Sequence, residues 1–204
     1  MEKTYRKSFQ KAIEVFRTQN GILRVSQANE LGIHYMVLSQ MVEEGLLVKE
    51  GRGLYRLAEL PPLSNPDLVQ VALRIPSAVI CLISALNFHD LTTQIPYKVY
   101  IALPRGVKRP LFDYPPLEII WPGEKIYSTG IQEHVIDGAP VKVYQKEKTI
   151  ADCFRYSKKV EREITIEALK DYLGGGERNL DLLYEYARLN KVEKEILPYV
   201  KALI

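Results

Sequence analysis

The sequence predicts an α+β protein, with a small N-terminal unit of helices and a hairpin ahead of a larger mixed α/β unit. Three observations predict it. The first sixty or so residues carry three short helical patterns and then two β runs around a glycine-flanked turn. The stretch "AELPPLSNP" that follows, with Pro61, Pro62 and Pro66, ends any regular element. The remaining chain, about 140 residues and an ordinary domain size, runs helices, then strands, then helices. That order points to a small sheet with flanking helices. The expected domains are therefore residues 1–60 and 61–204.

In the N-terminal domain, Phe9, Ala12, Ile13 and Phe16 recur at helical spacing, which predicts a helix over 8–18 that Asn20-Gly21 stops. Ser26 reads as the N-cap of a short second helix, residues 27–31, that turns Ala28 and Leu31 inward. Gly32 makes a turn. A third helix spans about 34–44, with Val37, Leu38, Met41 and Val42 as its inward stripe and Gly45 as its C′ residue. Two strands follow near 46–49 and 54–57, joined through Glu50-Gly51-Arg52-Gly53, where glycine supplies the positive φ of a tight hairpin. Three helices and a hairpin in this order form a winged helix-turn-helix pattern.

The larger domain opens with helical patterns at 67–74 and 77–89. Period-2 and β-branched runs come next, at 98–103, 117–121, 134–136 and 141–144, the last two linked by Asp137-Gly138. Helical spacing returns at 148–156, 165–172, 180–189 and 194–203, interrupted by Gly174-Gly175-Gly176.

A winged helix-turn-helix suits duplex DNA, because a helix about 10–12 Å wide fits a major groove about 12 Å across. The outward positions of the third helix are His34, Tyr35, Met36, Ser39, Gln40 and Glu43. The Gln40 amide offers one donor and one acceptor, the pattern of the adenine edge. Ser39, Tyr35 and His34 reach bases or phosphates, and the helix start offers free N–H groups to a phosphate. Arg52 at the hairpin tip is a groove or backbone probe, with Lys49 and Arg56 beside it. Ser26, His34, Tyr35, Met36, Ser39, Gln40, Lys49, Arg52 and Arg56 thus form the candidate DNA-binding set. The competing reading is a protein-interaction module, since Glu43 and Glu44 close that helix with negative charge.

In the larger domain "IALPRGVKRPLFDYPP" gathers Arg105, Lys108 and Arg109 just after a β run. With Lys148 of "YQKEKTIADCFRYSKK" they are the candidate phosphate or nucleic-acid contacts, against readings as a solubilising loop and as an i,i+4 ion pair of Lys148 with Asp152. The net charge of +3 permits nucleic-acid binding without arguing for it. Cys81 and Cys153 are far apart and have no metal-ligand spacing with the three histidines, so no metal or cofactor is expected. No acid-x-Lys step, Asp-x-Asp, phosphate-binding loop or nucleophile elbow occurs. The sequence therefore offers no catalytic residues; an enzyme acting on nucleic acid or nucleotides through the larger domain is the alternative. The N-terminus lacks a signal-peptide core and the longest apolar run is too short for a bilayer, so the expected location is the cytoplasm.

The chain resembles the AbiEi family of antitoxins from type IV toxin–antitoxin abortive-infection systems. The resemblance rests on "LGIHYMVLSQMVEEGLL" with "GRGLYRL", and on the ordered set "AVICLISALNFHDLTTQIP", "VYIALPRG", "GIQEHVIDGAPVKVYQKEKTIADCFRY" and "EALKDYL". It implies a winged helix that binds operator DNA and represses its own operon; with so few candidate base readers on one small module, repeated operator sites or cooperative binding are expected. It further implies an antitoxin domain opposing a nucleotidyltransferase-like toxin without a stable complex between the two. By family pattern the DNA contacts fall on Tyr35, Ser39, Gln40 and Arg52; the family supplies no catalytic residue.

Overall fold

A computed structural model describes residues 6–203. They form two compact units: the described residues up to Arg74 together with Val135–Pro140, and Ile75–His134 with 141–203. The architecture is α+β, as the sequence predicts.

The first unit begins with α1 (Lys7–Thr18), which buries Phe9, Ala12 and Phe16. The strand β1 (Ile22–Arg24) leads directly into α2 (Val25–Glu30), then α3 (Tyr35–Glu43), β2 (Leu47–Gly51), β3 (Leu54–Leu57) and α4 (Pro66–Arg74). The three strands form an antiparallel sheet in the order β1-β3-β2. Its core joins Phe9 and Phe16 of α1 to Leu38 and Met41 of α3 and to Leu47 and Tyr55 of the hairpin. The expected helix stripe at Leu38 and Met41 is buried, while Val37 and Val42 pack at its edge. Gly45, at φ +70°, ends α3 in the left-handed conformation that a side chain would disfavour.

Three local readings change. The second helix starts at Val25 with Arg24 as its N-cap: the Gln27 side chain accepts from the Arg24 N–H at 3.0 Å. Ser26 therefore lies inside the first turn and caps nothing. Leu31, expected inside, is exposed, because α2 ends at Glu30 and Leu31 is already its C-cap. The hairpin gains β1 as a third strand, with Leu23 opposite Tyr55.

The second unit holds β4 (Val79–Ile80), α5 (Leu82–Phe88), β5 (Val99–Ala102), β6 (Leu117–Ile120), α6 (Glu124–Ser128), β7 (Ile131–Ile136) and β8 (Ala139–Tyr144), with the β7–β8 turn counted in the first unit. Four helices complete it: α7 (Lys146–Arg155), α8 (Arg162–Gly174), α9 (Leu180–Asn190) and α10 (Glu193–Leu203). The sheet order is β6-β5-β4-β8-β7, mixed in direction: β4 runs antiparallel to β5 and parallel to β8. Asp137 (φ +49°) and Gly138 (φ +82°) make the expected tight turn between β7 and β8. The helix expected over 77–89 is instead a strand and a helix, broken at Cys81-Leu82, where Leu82 takes φ +47°. The physical reason is pairing: Val79 and Ile80 lie against Ala102 and Ile101, and Ile80 also against Val143, so this apolar run is the middle of the sheet. Around α7 the core is covered on every side. Glu147, Lys148, Thr149 and Asp152 are buried with its apolar residues.

Candidate nucleic-acid interface

The helix-turn-helix of the first unit is α2, the turn through Gly32, and α3. Leu38 and Met41 anchor α3 to the core, so helical geometry turns the intervening positions outward. Met36 is 72% exposed and Tyr35 55%. His34 and Glu43 are exposed, and Ser39 and Gln40 are half-buried at the edge of the same face. No side chain caps α3 at His34, and while the Val37 N–H donates to the His34 carbonyl at 2.9 Å, the Tyr35 and Met36 N–H groups are left to solvent or a ligand. Ser26, although not a cap, is exposed on α2.

The hairpin is stiff at its base and open at its tip. A bulge between Lys49 and Gly51 lets Glu50 turn in beneath the sheet. There its carboxylate accepts from Arg56 Nε at 2.5 Å. Arg56 Nη1 donates to the carbonyls of Leu57 at 3.0 Å and Leu60 at 2.5 Å. From α4, Gln70 Nε2 donates to the Glu50 carbonyl at 2.9 Å, and its amide occupies the space where a Cβ on Gly51 would lie. Beyond this clamp, Lys49 and Arg52 are exposed, and Gly53 at φ +72° closes the turn. The Gly53 carbonyl accepts from the Val25 N–H at 2.9 Å, which ties the hairpin tip to the start of α2. Tyr35 is tied to the sheet as well. Burial, and then the charge and the hydrogen bond of the neighbouring Tyr35, push the Tyr55 phenol above its usual range.

Arg56 is thus removed from the candidate DNA contacts. Its side chain is buried, with Nε on Glu50 and Nη1 on two carbonyls, so it holds the hairpin base and is withdrawn from any phosphate at the surface. Sequence reasoning missed Gln70 and Tyr55, the two supports of the interface. The signal for Gln70 was faint: a polar residue in a helix whose neighbours Leu68, Val69 and Val71 are all buried.

Arg105, Lys108 and Arg109 lie in the second unit, on the exposed loop after β5. Arg109 Nη2 donates to the Leu117 carbonyl at 3.3 Å. Lys148 is corrected as a surface cation: it is fully buried. Its Nζ meets both Asp152 oxygens at 2.6 and 2.5 Å and stands 4.3 Å from the centre of the Tyr144 ring. Asn190 Nδ2 donates to Asp152 at 2.8 Å. Burial pushes the Asp152 carboxyl up, opposed by Lys148 and Asn190. The cluster is a buried ion pair holding α7 against α9 and has no solvent path to a phosphate. Among the described residues no three His, Cys, Asp or Glu side chains converge as a metal site, and no helix is long and apolar enough to cross a membrane.

Comparison with solved structures finds the crystal structure of the RV2827C protein from Mycobacterium tuberculosis. The TM-score is 0.57 at 12% identity, over 91% of this chain and 72% of that one, a likeness of fold. A search of curated proteins gives no match. The family comparison matches residues 10–58, a segment that contains β1, α2, α3 and the hairpin whole. Over that segment the chain matches the family of AbiEi antitoxins that are transcriptional regulators.

Proposed function

We propose that the chain is a DNA-binding transcriptional autorepressor and the antitoxin of a type IV toxin–antitoxin system. In this reading residues 1–60 are the DNA-binding domain and 61–204 the antitoxin domain, and the protein acts in the cytoplasm by binding, without catalysis. The observation that carries it is the solvent-facing side of α3, with Tyr35 and Met36 exposed and Ser39 and Gln40 at its edge, beside a braced hairpin with cations at its tip, in the segment that matches the regulator family. The face of α3 enters a major groove, with Gln40 and Ser39 reading base edges and Tyr35 and Met36 in apolar contact. Lys49 and Arg52 grip the phosphate backbone or the adjacent minor groove. Occupation of the promoter blocks transcription. So few base contacts, each worth about 1–3 kcal/mol, favour repeated operator sites and cooperative binding. The second unit opposes a nucleotidyltransferase-like toxin without a stable complex.

A gel-shift titration with the DNA upstream of the operon tests the regulator half. Gln40→Ala and Arg52→Ala each weaken binding there; unchanged affinity in both contradicts the reading. Co-expression with the adjacent gene product tests the antitoxin half. Rescue of growth without co-elution in size-exclusion chromatography is the expected outcome.

A further inference from the structure

The second unit contains an open cavity of about 450 Å³, remote in sequence from the helix-turn-helix. That is within the usual size of small-ligand sites, about 300–1,000 Å³. It is built where the segment before β5 meets β6 and the α7–α8 connection. We propose that this cavity binds a nucleoside 5′-phosphate, with the phosphate on its lysines and the base on its tyrosines.

The charge is arranged for an anion. Lys98 Nζ lies 2.7 Å from one Glu118 oxygen, and Lys159 Nζ meets the other. Glu118 is opposite Tyr100 in the parallel β5–β6 register, so one carboxylate at the sheet surface gathers two ammonium groups. The two lysines hold the Glu118 carboxyl below its ordinary range. Each ammonium has three N–H donors; Lys159 spends one on Glu118, and Lys98 spends one on Glu118 and one on Tyr97, which leaves donors on both for a second anion. Lys158, also in the wall, is exposed and has no carboxylate partner among the described residues. Three ammonium groups face two carboxylates, Glu118 and Glu161, so the lining carries one net positive charge.

The aromatic surface is arranged for a ring. Tyr97 is 81% exposed at this wall, a large side chain with an uncovered π-face. Lys98 stands 5.3 Å from its ring centre and 5.7 Å from that of Tyr100, which is buried. Ile83 and Ile164 supply a buried apolar floor. A flat base stacked on Tyr97 covers the exposed face whatever its identity, because every base has a π-face. A simple phosphate leaves that ring bare, and an uncharged ring leaves Lys158 unpaired.

The source is a free nucleotide or the phosphorylated 5′ end of an RNA, and calorimetry on the full chain separates them. The probes are inorganic phosphate, adenosine, AMP, and a short oligoribonucleotide with and without its 5′-phosphate. AMP is expected to bind at least about tenfold more tightly than phosphate or adenosine alone. Phosphate-dependent binding of the oligonucleotide above that of AMP assigns the RNA end; its failure beside AMP binding assigns the free nucleotide. Tyr97→Ala, at an exposed site that carries little fold stability, should weaken AMP about tenfold and leave inorganic phosphate unchanged. Lys158→Ala should weaken both. The proposal is overturned if neither AMP nor the phosphorylated RNA binds at millimolar concentration, or if binding survives both substitutions. These measurements use no operator DNA, so they stand or fall apart from the regulator assignment.

Discussion

Arg56 meets Glu50 at 2.5 Å beneath the hairpin, with both side chains largely withdrawn from water. Two residues that look like surface charges are the internal brace of the finger. Removing one partner strands the other, so Arg56→Ala should cost about 3 kcal/mol of stability. Arg56→Lys should recover less than half of that, because one ammonium cannot also span the Leu57 and Leu60 carbonyls. Hydrogen exchange at the Leu54–Leu57 amides, read beside denaturant unfolding, checks both.

The exposed end of α3 separates recognition from stability. Met36→Ala removes a side chain that touches little of the core, so the unfolding free energy should stay within the scatter of surface substitutions, about 0.5 kcal/mol. Operator affinity should fall by about 1–3 kcal/mol with relaxed choice at one position. Lys49→Ala should instead weaken every duplex alike and lower the salt slope by about 1. Fluorescence anisotropy over a range of salt concentrations, with operator and scrambled duplexes, distinguishes the two patterns.

In the second unit the sharpest stability test is Lys148. Lys148→Ala leaves the buried Asp152 carboxyl without its cation, and a loss of about 3–5 kcal/mol is expected. Replacing both, Lys148→Met with Asp152→Leu, should restore much of the loss, because the cost lies in the unpaired carboxyl. Urea denaturation of the single and double variants measures the difference.

His89, half-buried as a neutral ring, makes the stability of the chain acid-sensitive. Its Nε2 is 2.7 Å from the Tyr144 carbonyl, and since a carbonyl only accepts, the neutral ring carries its proton on Nε2. Burial first, then Lys146 and His134, lower its pKa from 6.5, opposed by the Tyr144 carbonyl and Glu147. The unfolded chain therefore binds more protons than the folded one just below pH 6.5. The stability His89 contributes is complete above that pH and is lost as pH falls through the lower folded value. His89→Gln should flatten the acid limb of the thermal stability curve, which scanning calorimetry across that interval will read.

Much of the first unit is legible in the sequence because its signals are local. The stripe of Phe9, Ala12 and Phe16 repeats at helical period, and Gly45 and Gly53 mark positions of positive φ. The strand β1 escapes notice because Ile22-Leu23-Arg24 is too short to show alternation; only pairing with β3 makes it a strand. Residues 79–80 mislead for the opposite reason: buried on both faces of the sheet, they read as a continuous apolar run without period. Arg56 and Lys148 are legible as cations but not as buried ones, since residue type alone places charge outside. Their carboxylates, six and four residues away, become partners only through the bulge at Glu50 and the enclosure of α7.

The ladder between β1 and β3, with the Val25 to Gly53 hydrogen bond at its end, has one more outcome. It couples the start of the helix-turn-helix and the hairpin tip as a single caliper of fixed span, which in the proposed DNA-binding role sets the spacing of the contacts. Each added base pair lengthens a duplex by about 3.4 Å and rotates it by about a tenth of a turn. A one-nucleotide insertion between the two contacted segments should therefore abolish tight operator binding, even with every contacted base retained.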